Sequence, residues 1–166
     1  MGKFMVGVIT ASDKGSKGER QDISGQVIRE MIADIDGEVV RYEIVPDDPA
    51  VIKETLIHFA DNDKLDLILT TGGTGLGPRD NTPEATLEVV DKLVPGIPEA
   101  MRLESLKKTN RAMLSRAVAG VRHRTLIINL PGSPKAVKEC LEVVLPVLTH
   151  GLEILRGDAG ECAAKI

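Results

Sequence analysis

Apolar residues recur along the chain in two alternating rhythms. Four short runs rich in β-branched and other apolar residues, at 4–10, 39–45, 65–71 and 125–130, predict strands. Between them the spacing becomes helical. Ile23, Val27, Ile28, Met31, Ile32 and Ile35 share one face, and Val51, Ile52, Leu56, Ile57 and Phe59 share another. A third helix is expected over 83–93 and a fourth after Pro98. The last is expected over 134–155, with a kink or break at Pro146, which has no amide hydrogen to give. Strands alternating with helices predict a doubly wound α/β domain, whose ligands lie beyond the carboxyl ends of the strands. No repeat, low-complexity tract or linker interrupts the pattern, so residues 1–166 are expected to form one domain.

Composition narrows this frame. With 166 residues and 42% hydrophobic content, the chain can bury about 70% of its unfolded surface in one domain. One Tyr, two Phe and no Trp leave the core to Val, Ile and Leu, as a parallel sheet buried on both faces requires. So few rings argue against stacking of single-stranded nucleic acid. A formal charge of −4 provides no basic field for DNA or RNA. The first residues lack the apolar length of a signal segment, and no apolar run is long enough to span a membrane. A soluble, cytoplasmic protein is expected, with no nucleic acid and no membrane as partner. Cys140 and Cys162 are too few for a disulfide scaffold and too far apart for a metal knuckle. Both are expected to be inert, Cys140 as a small core residue on a helix.

The strand ends carry the chemistry. The first ends in Thr10, Ala11, Ser12, Asp13, and the second in Pro46, Asp47, Asp48, Pro49. Asp48 before Pro49 reads as a helix N-cap, which leaves Asp47 without a structural duty and makes it the functional candidate. The third strand runs into Gly72, Gly73, Gly75 and Gly77, a backbone free to take positive φ and to approach a ligand. Thr82 before Pro83 then reads as an N-cap, with Glu84 in the first turn of the next helix. A glycine turn leading into a helix N-terminus favours an anion such as phosphate. Between them stand Arg79, a fork of donors, and Asp80, which phosphate would repel unless a divalent ion lay between, so a magnesium-nucleotide is indicated. The turn alone is also a common α/β connection. It lacks the lysine of a P-loop and does not complete a dinucleotide fingerprint. The fourth strand ends in Asn129, Leu130, Pro131, Gly132, Ser133, Pro134, where Ser133 reads as an N-cap and Asn129 as a recognition amide.

The ordered set T-T-G-G-T-G-x-x-x-R-D-x-T-P-E-A-T over 70–86, Ser12 with Asp13, L-S-R over 114–116 and N-L-P-G-x-P over 129–134 resembles the molybdenum-cofactor biosynthesis family. That family includes the bacterial Mog and MoaB proteins and the G domains of gephyrin and its plant counterpart. The resemblance spans nearly the whole chain. It implies a three-layer α/β/α fold with a mostly parallel sheet, a homotrimer, and transfer of AMP from ATP to the phosphate of molybdopterin. The product would then be handed to a molybdenum-insertion enzyme. It implies a catalytic and Mg²⁺-binding role for Asp47 and Asp80. Contacts to phosphate and pterin would come from Gly73, Thr74 and Gly75, with further binding roles for Ser12, Asp13, Ser115, Asn129, Pro131 and Gly132. Arg79 and Lys135 are secondary candidates for phosphate, Lys135 reading first as a solvated surface residue one position inside a helix. The alternative is a binding or scaffold relative that keeps the fold without the chemistry. Asn81 and Ser133 depart from the usual pattern without removing a charge from the site.

Other polar residues read as structural. His58 and His150 are ordinary helix residues, and His123 lies in a basic turn left to solvent. The segment 99–111 reads as a solvated helix face, where Met101 and Arg102 line either the nucleotide side or a subunit contact.

Overall fold

The computed structural model describes residues 2–158. The chain begins with β1 (Phe4–Ala11), the single turn α1 (Asp13–Ser16), α2 (Ile23–Met31), β2 (Gly37–Val45) and α3 (Pro49–Ile57). It continues through β3 (Leu67–Thr71), α4 (Thr82–Val89), β4 (Lys92–Leu93) and α5 (Gly96–Leu106), and ends with β5 (Ala119–Arg122), β6 (Thr125–Leu130) and α6 (Pro134–Arg156). The strands form one sheet in the order β2-β1-β3-β6-β5-β4. Its first four members are parallel, and β5 and β4 are antiparallel additions at one edge.

Alternation along the central strands builds three layers. Leu67 and Leu69 of β3 face the same core as Val6, Val8, Leu126, Ile128 and Leu130, covered by α2, α5 and α6. Ile68 faces the opposite core with Ile9 and Ile127, covered by Ile52 and Leu56 of α3, Phe59, and Ala85 and Val89 of α4. Both faces are therefore dry, which is why these strands read as continuous apolar runs. The expected three-layer α/β/α fold with a mostly parallel sheet is the one observed.

The outer elements differ from the sequence reading. The helix expected over 83–93 ends at Val89, because Val90 turns extended and Lys92–Leu93 pairs with β5. Asp91 and Val94 also donate their amides to Val121 and Ala119. Neither β4 nor β5 was legible: the hairpin from β5 to β6 turns at His123 with φ 53° and carries no glycine to mark it. The fourth helix starts at Gly96 rather than after Pro98, which sits in its first turn, where a missing amide costs little. α6 runs unbroken through Pro146. Its buried residues, Cys140, Leu141 and Val144 before the proline and Leu148 and Leu152 after it, hold both halves to the same core. Cys140 is the small core residue expected, its thiol pushed up by burial; Cys162 lies outside the described residues.

Register aligns the strand ends. Ala11 pairs with Val45, Thr10 with Thr71, and Thr71 with Leu130, so four parallel strands stop at one level. The chain leaves β1 towards one edge and β3 towards the other. These neighbours thus form a topological switch point, where a crevice opens beyond their ends. Lower on β1, Gly7 gives Phe59 room to pack. A Cβ there would lie 2.6 Å from the Phe59 ring and 2.7 Å from Leu65. Gly7→Ala is expected to destabilise the fold by about 1–3 kcal/mol through overpacking, measured as a lower midpoint in urea unfolding.

Candidate functional site

A cleft of about 660 Å³ opens at the switch point, lined by Thr10, Ser12, Asp22, Asp47, Gly72, Gly73, Asp80 and Gly132 among others. Of the residues expected from the sequence, Ser12, Asp47, Gly73, Asp80 and Gly132 meet here. Ser115 and Pro131 instead line an adjoining apolar cavity of about 260 Å³ with Met101, Arg102 and Cys140, and Ser133 borders both spaces. Arg102 donates to the carbonyls of Ser115 and Ala117 and so holds that segment. It is a half-buried anchor rather than part of a solvated face, and Met101 is buried beside it.

The glycine turn is held by its carbonyls. Gly72 at φ 91° and Gly73 at φ 69° take left-handed conformations, and a Cβ on Gly72 would collide with the Ala11 carbonyl. The Gly73 carbonyl accepts from Thr82 N, and the Thr74 carbonyl from Arg116 N. Arg116 Nε donates to the Gly75 carbonyl at 2.7 Å and its Nη2 to the Asp80 carbonyl at 2.6 Å. In a planar trans peptide the carbonyl and the next N–H point opposite ways. The amides of Thr74, Gly75 and Leu76 therefore point away from Thr82 and Arg116, which bind the preceding carbonyls. Gly77 N binds Asp80 Oδ2 at 2.9 Å, which closes the loop on its own carboxylate.

The expected N-cap at Thr82 is displaced by one residue. Asn81 occupies the cap position without a side-chain capping bond, and Thr82, drawn in by its amide bond to Gly73, begins the helix. Its Oγ1 is buried against Gly73 with no hydrogen-bond partner among the described residues. Asp48 and Ser133 cap α3 and α6 as expected, and Ser12 caps α1 through Gly15 N.

The carboxylates form a linked cluster. Asp13 N donates to Asp47 Oδ2 at 2.9 Å and Asp47 N to Asp13 Oδ1 at 3.0 Å, tying the ends of β1 and β2 together. Asp47 therefore does have a structural duty, invisible to the sequence because its partner lies 34 residues away. Arg79 grips Asp13 with a two-point bond, Nε to Oδ2 at 3.0 Å and Nη2 to Oδ1 at 2.8 Å. That guanidinium holds the Asp13 carboxyl below its usual range. Burial pushes Asp47 above its range, helped by the charges of Asp13 and Asp80. Among the described residues no cluster of three or more His, Cys, Asp or Glu side chains is suited to a metal ion. Asp47 and Asp80 alone fit a Mg²⁺ that takes one or two protein carboxylates and completes its shell with substrate phosphates and water.

Two features were not foreseen. Arg116, quoted only within L-S-R, is the organiser of the glycine loop. Asp22, on the cleft wall, accepts from Thr10 Oγ1 at 2.6 Å and from the Tyr42 hydroxyl, and caps α2 through Gly25 N. Burial and this hydrogen bond push the Tyr42 phenol up to about 12. The local signal for Asp22 was an Asp three residues before Gly25 at a helix start. Lys135 is exposed on α6.

Asn129, read from the sequence as a recognition amide, forms a structural link in the interior. It is fully buried, its Nδ2 donating to Thr70 Oγ1 at 3.0 Å and Thr86 Oγ1 at 2.9 Å, while its Oδ1 accepts from Val118 N. The side chain cements β6 to β3 and α4 and has no donor left for a ligand. Asn129→Ala is expected to cost about 3 kcal/mol by leaving buried polar groups unpaired, read from chemical denaturation.

Comparisons with known proteins agree on one family. The profile described as "Probable molybdopterin binding domain" matches residues 7–150. The chain is 45% identical over 155 residues to a protein of Helicobacter pylori strain J99 named molybdopterin adenylyltransferase, covering 92% of this chain and 88% of that one. It is 40% identical over 180 residues to one of the same name from Escherichia coli K12, covering 100% and 92%. Among solved structures, the molybdopterin biosynthesis enzyme MoaB from Thermus thermophilus superposes with a TM-score of 0.88 at 60% identity, covering 93% of this chain and 97% of that one.

Proposed function

From the premise that the chain belongs to the molybdopterin-binding domain family of molybdenum cofactor biosynthesis, we propose that it is a molybdopterin adenylyltransferase using Mg-ATP. A phosphate oxygen of molybdopterin attacks the α-phosphorus of ATP, the bond from that phosphorus to the bridging oxygen breaks, and pyrophosphate leaves with the electron pair. The observation that carries this reading is the meeting of two carboxylates, Asp47 and Asp80, with Gly72 and Gly73 of the glycine turn in one cleft. Curated relatives named for this activity support it.

Such a transfer depends on positioning and charge neutralisation more than on covalent help from the protein. Asp47 and Asp80 are the residues to hold Mg²⁺, which, when bound, supplies neutralisation of the polyphosphate. Backbone amides of the 73–76 turn cradle phosphate oxygens. The hydroxyl of Ser12, the rim carboxylate of Asp13 and the backbone at Gly132 shape the cleft, while Ser115 and Pro131 offer an apolar recess for a ring. Arg79 is the cation nearest the acid cluster; its pair with Asp13 is exposed and therefore readily exchanged for phosphate.

A homotrimer is part of the proposal. Exposed Leu103 and Leu106 on α5 and Met113 and Leu114 on the adjoining turn present apolar surface beside the Ser115 recess. We place the reaction in the cytoplasm, where ATP is supplied. Among the described residues no helix is long and apolar enough to cross a membrane. Adenylyl-molybdopterin would pass to a metal-insertion enzyme.

The direct test is incubation with molybdopterin and Mg-ATP, followed by mass spectrometry. Adenylyl-molybdopterin with stoichiometric pyrophosphate is expected; molybdopterin bound but unchanged, with no ATP consumed, would reject the enzyme assignment. Asp80→Asn and Asp47→Asn should each lower turnover at least about 100-fold, the usual loss for a preorganised electrostatic group. Near-normal turnover in both would remove these residues from the mechanism.

The raised Asp47 pKa sets two signs. The group must be ionised to hold a cation, so turnover should fall as pH drops through a value above the ordinary carboxylate pKa of about 3.9. The folded state also binds this proton more tightly than the unfolded state, so ionising Asp47 costs stability as pH rises through that interval. Asp47→Asn should thus melt no lower than wild type at neutral pH, and any gain should vanish at pH below the unfolded value. Thermal melts at neutral and strongly acidic pH check this.

A further inference from the structure

Every carbonyl that Arg116 takes belongs to the loop proposed to hold phosphate. Its backbone N–H takes the Thr74 carbonyl at 2.9 Å, Nε that of Gly75 and Nη2 that of Asp80. Nη1 pairs with Glu84 in the first turn of α4. Burial pushes the Glu84 carboxyl up, but the guanidinium prevails and holds it below its usual range. Arg116 is itself fixed, because its neighbours Ser115 and Ala117 surrender their carbonyls to Arg102. The Arg116 side chain is about one-third exposed, so these bonds lie near the surface rather than in the core.

We infer that Arg116 is a positioning residue for the proposed transfer: by taking the carbonyls of Thr74, Gly75 and Asp80 it turns the intervening amides outward and fixes the Asp80 carboxylate. The inference rests on the reading above for its chemistry, though not for its geometry. A glycine-rich loop has many accessible conformations. Only those in which successive carbonyls converge on one point present successive N–H groups to one anion. A planar fork supplies that point with fixed directions, which the single ammonium of lysine does not. Arg116 touches no reacting atom; it acts through the loop.

A bland alternative gives Arg116 a different task, stapling α4 through Glu84. Three variants separate the two. Arg116→Gln removes charge and fork, Arg116→Lys keeps the charge but not the fork, and Glu84→Gln removes the ion pair while leaving the three carbonyl bonds. Each is titrated calorimetrically with inorganic pyrophosphate, with and without Mg²⁺, and assayed for kcat and for KM of molybdopterin, with a thermal melt as control.

In Arg116→Gln, pyrophosphate affinity and kcat are expected to fall about 10- to 100-fold, as for groups that orient a functional residue from behind. The KM for molybdopterin should move less. Arg116→Lys should recover part of the loss, and Glu84→Gln should bind pyrophosphate as wild type does. Wild-type affinity in Arg116→Lys, or a loss in Glu84→Gln equal to that in Arg116→Gln, would overturn the inference. Should Arg116→Gln fail to fold, the other two variants still decide. If wild-type protein forms no adenylyl-molybdopterin, the enzyme reading fails while the pyrophosphate titrations still test the loop.

Discussion

The structure depends on the register between parallel strands. Pairing of Thr10 with Thr71 and of Thr71 with Leu130 brings the ends of β1, β3 and β6 to one level, and Ala11 with Val45 adds β2. A slip of one residue would exchange Leu67 and Leu69 with Ile68 between the two cores, so burial on both faces locks the pairing. The cleft follows from that lock. Polar segments beginning at Ser12, Asp47, Gly72 and Pro131 have nowhere else to go than the same rim.

Once the rim exists, electrostatics decides what it can do. Three carboxylates, Asp13, Asp47 and Asp80, lie close together at the strand ends, and among the described residues Arg79 is the cation bonded to them, through Asp13. Burial raises the Asp47 carboxyl above its usual range, so its ionised form is disfavoured unless a positive charge lies beside it. The Asp13–Asp47 exchange of amide-to-carboxylate bonds ties the ends of β1 and β2 together.

The recognition loop is solved differently. Its glycines provide freedom, and that freedom is removed by Thr82 and Arg116, both of which bind its carbonyls. Asn129 does a comparable task one layer deeper, fixing β6 to β3 and α4. The sequence alone reads Asn129 as a recognition amide. A polar residue at a strand end is equally suited to either role, and only the hydroxyls of Thr70 and Thr86 waiting inside decide which.

The sequence by itself determined what near neighbours control: the apolar runs of the four parallel strands, the helical faces, the caps at Asp48 and Ser133, and the glycine turn with Asp80 beyond it. These depend on residues within a few positions of one another, where steric and hydrogen-bonding preferences act directly. Only the tertiary structure decided that β4 and β5 would pair at the edge, that Asp47 would lock to Asp13 34 residues away, and that Arg79 would reach Asp13 across 66. It also decided that Arg116 would gather carbonyls 36 and 41 positions back. No local pattern specifies such partners, because the free energy of each bond depends on a geometry that exists only after the sheet has set its register.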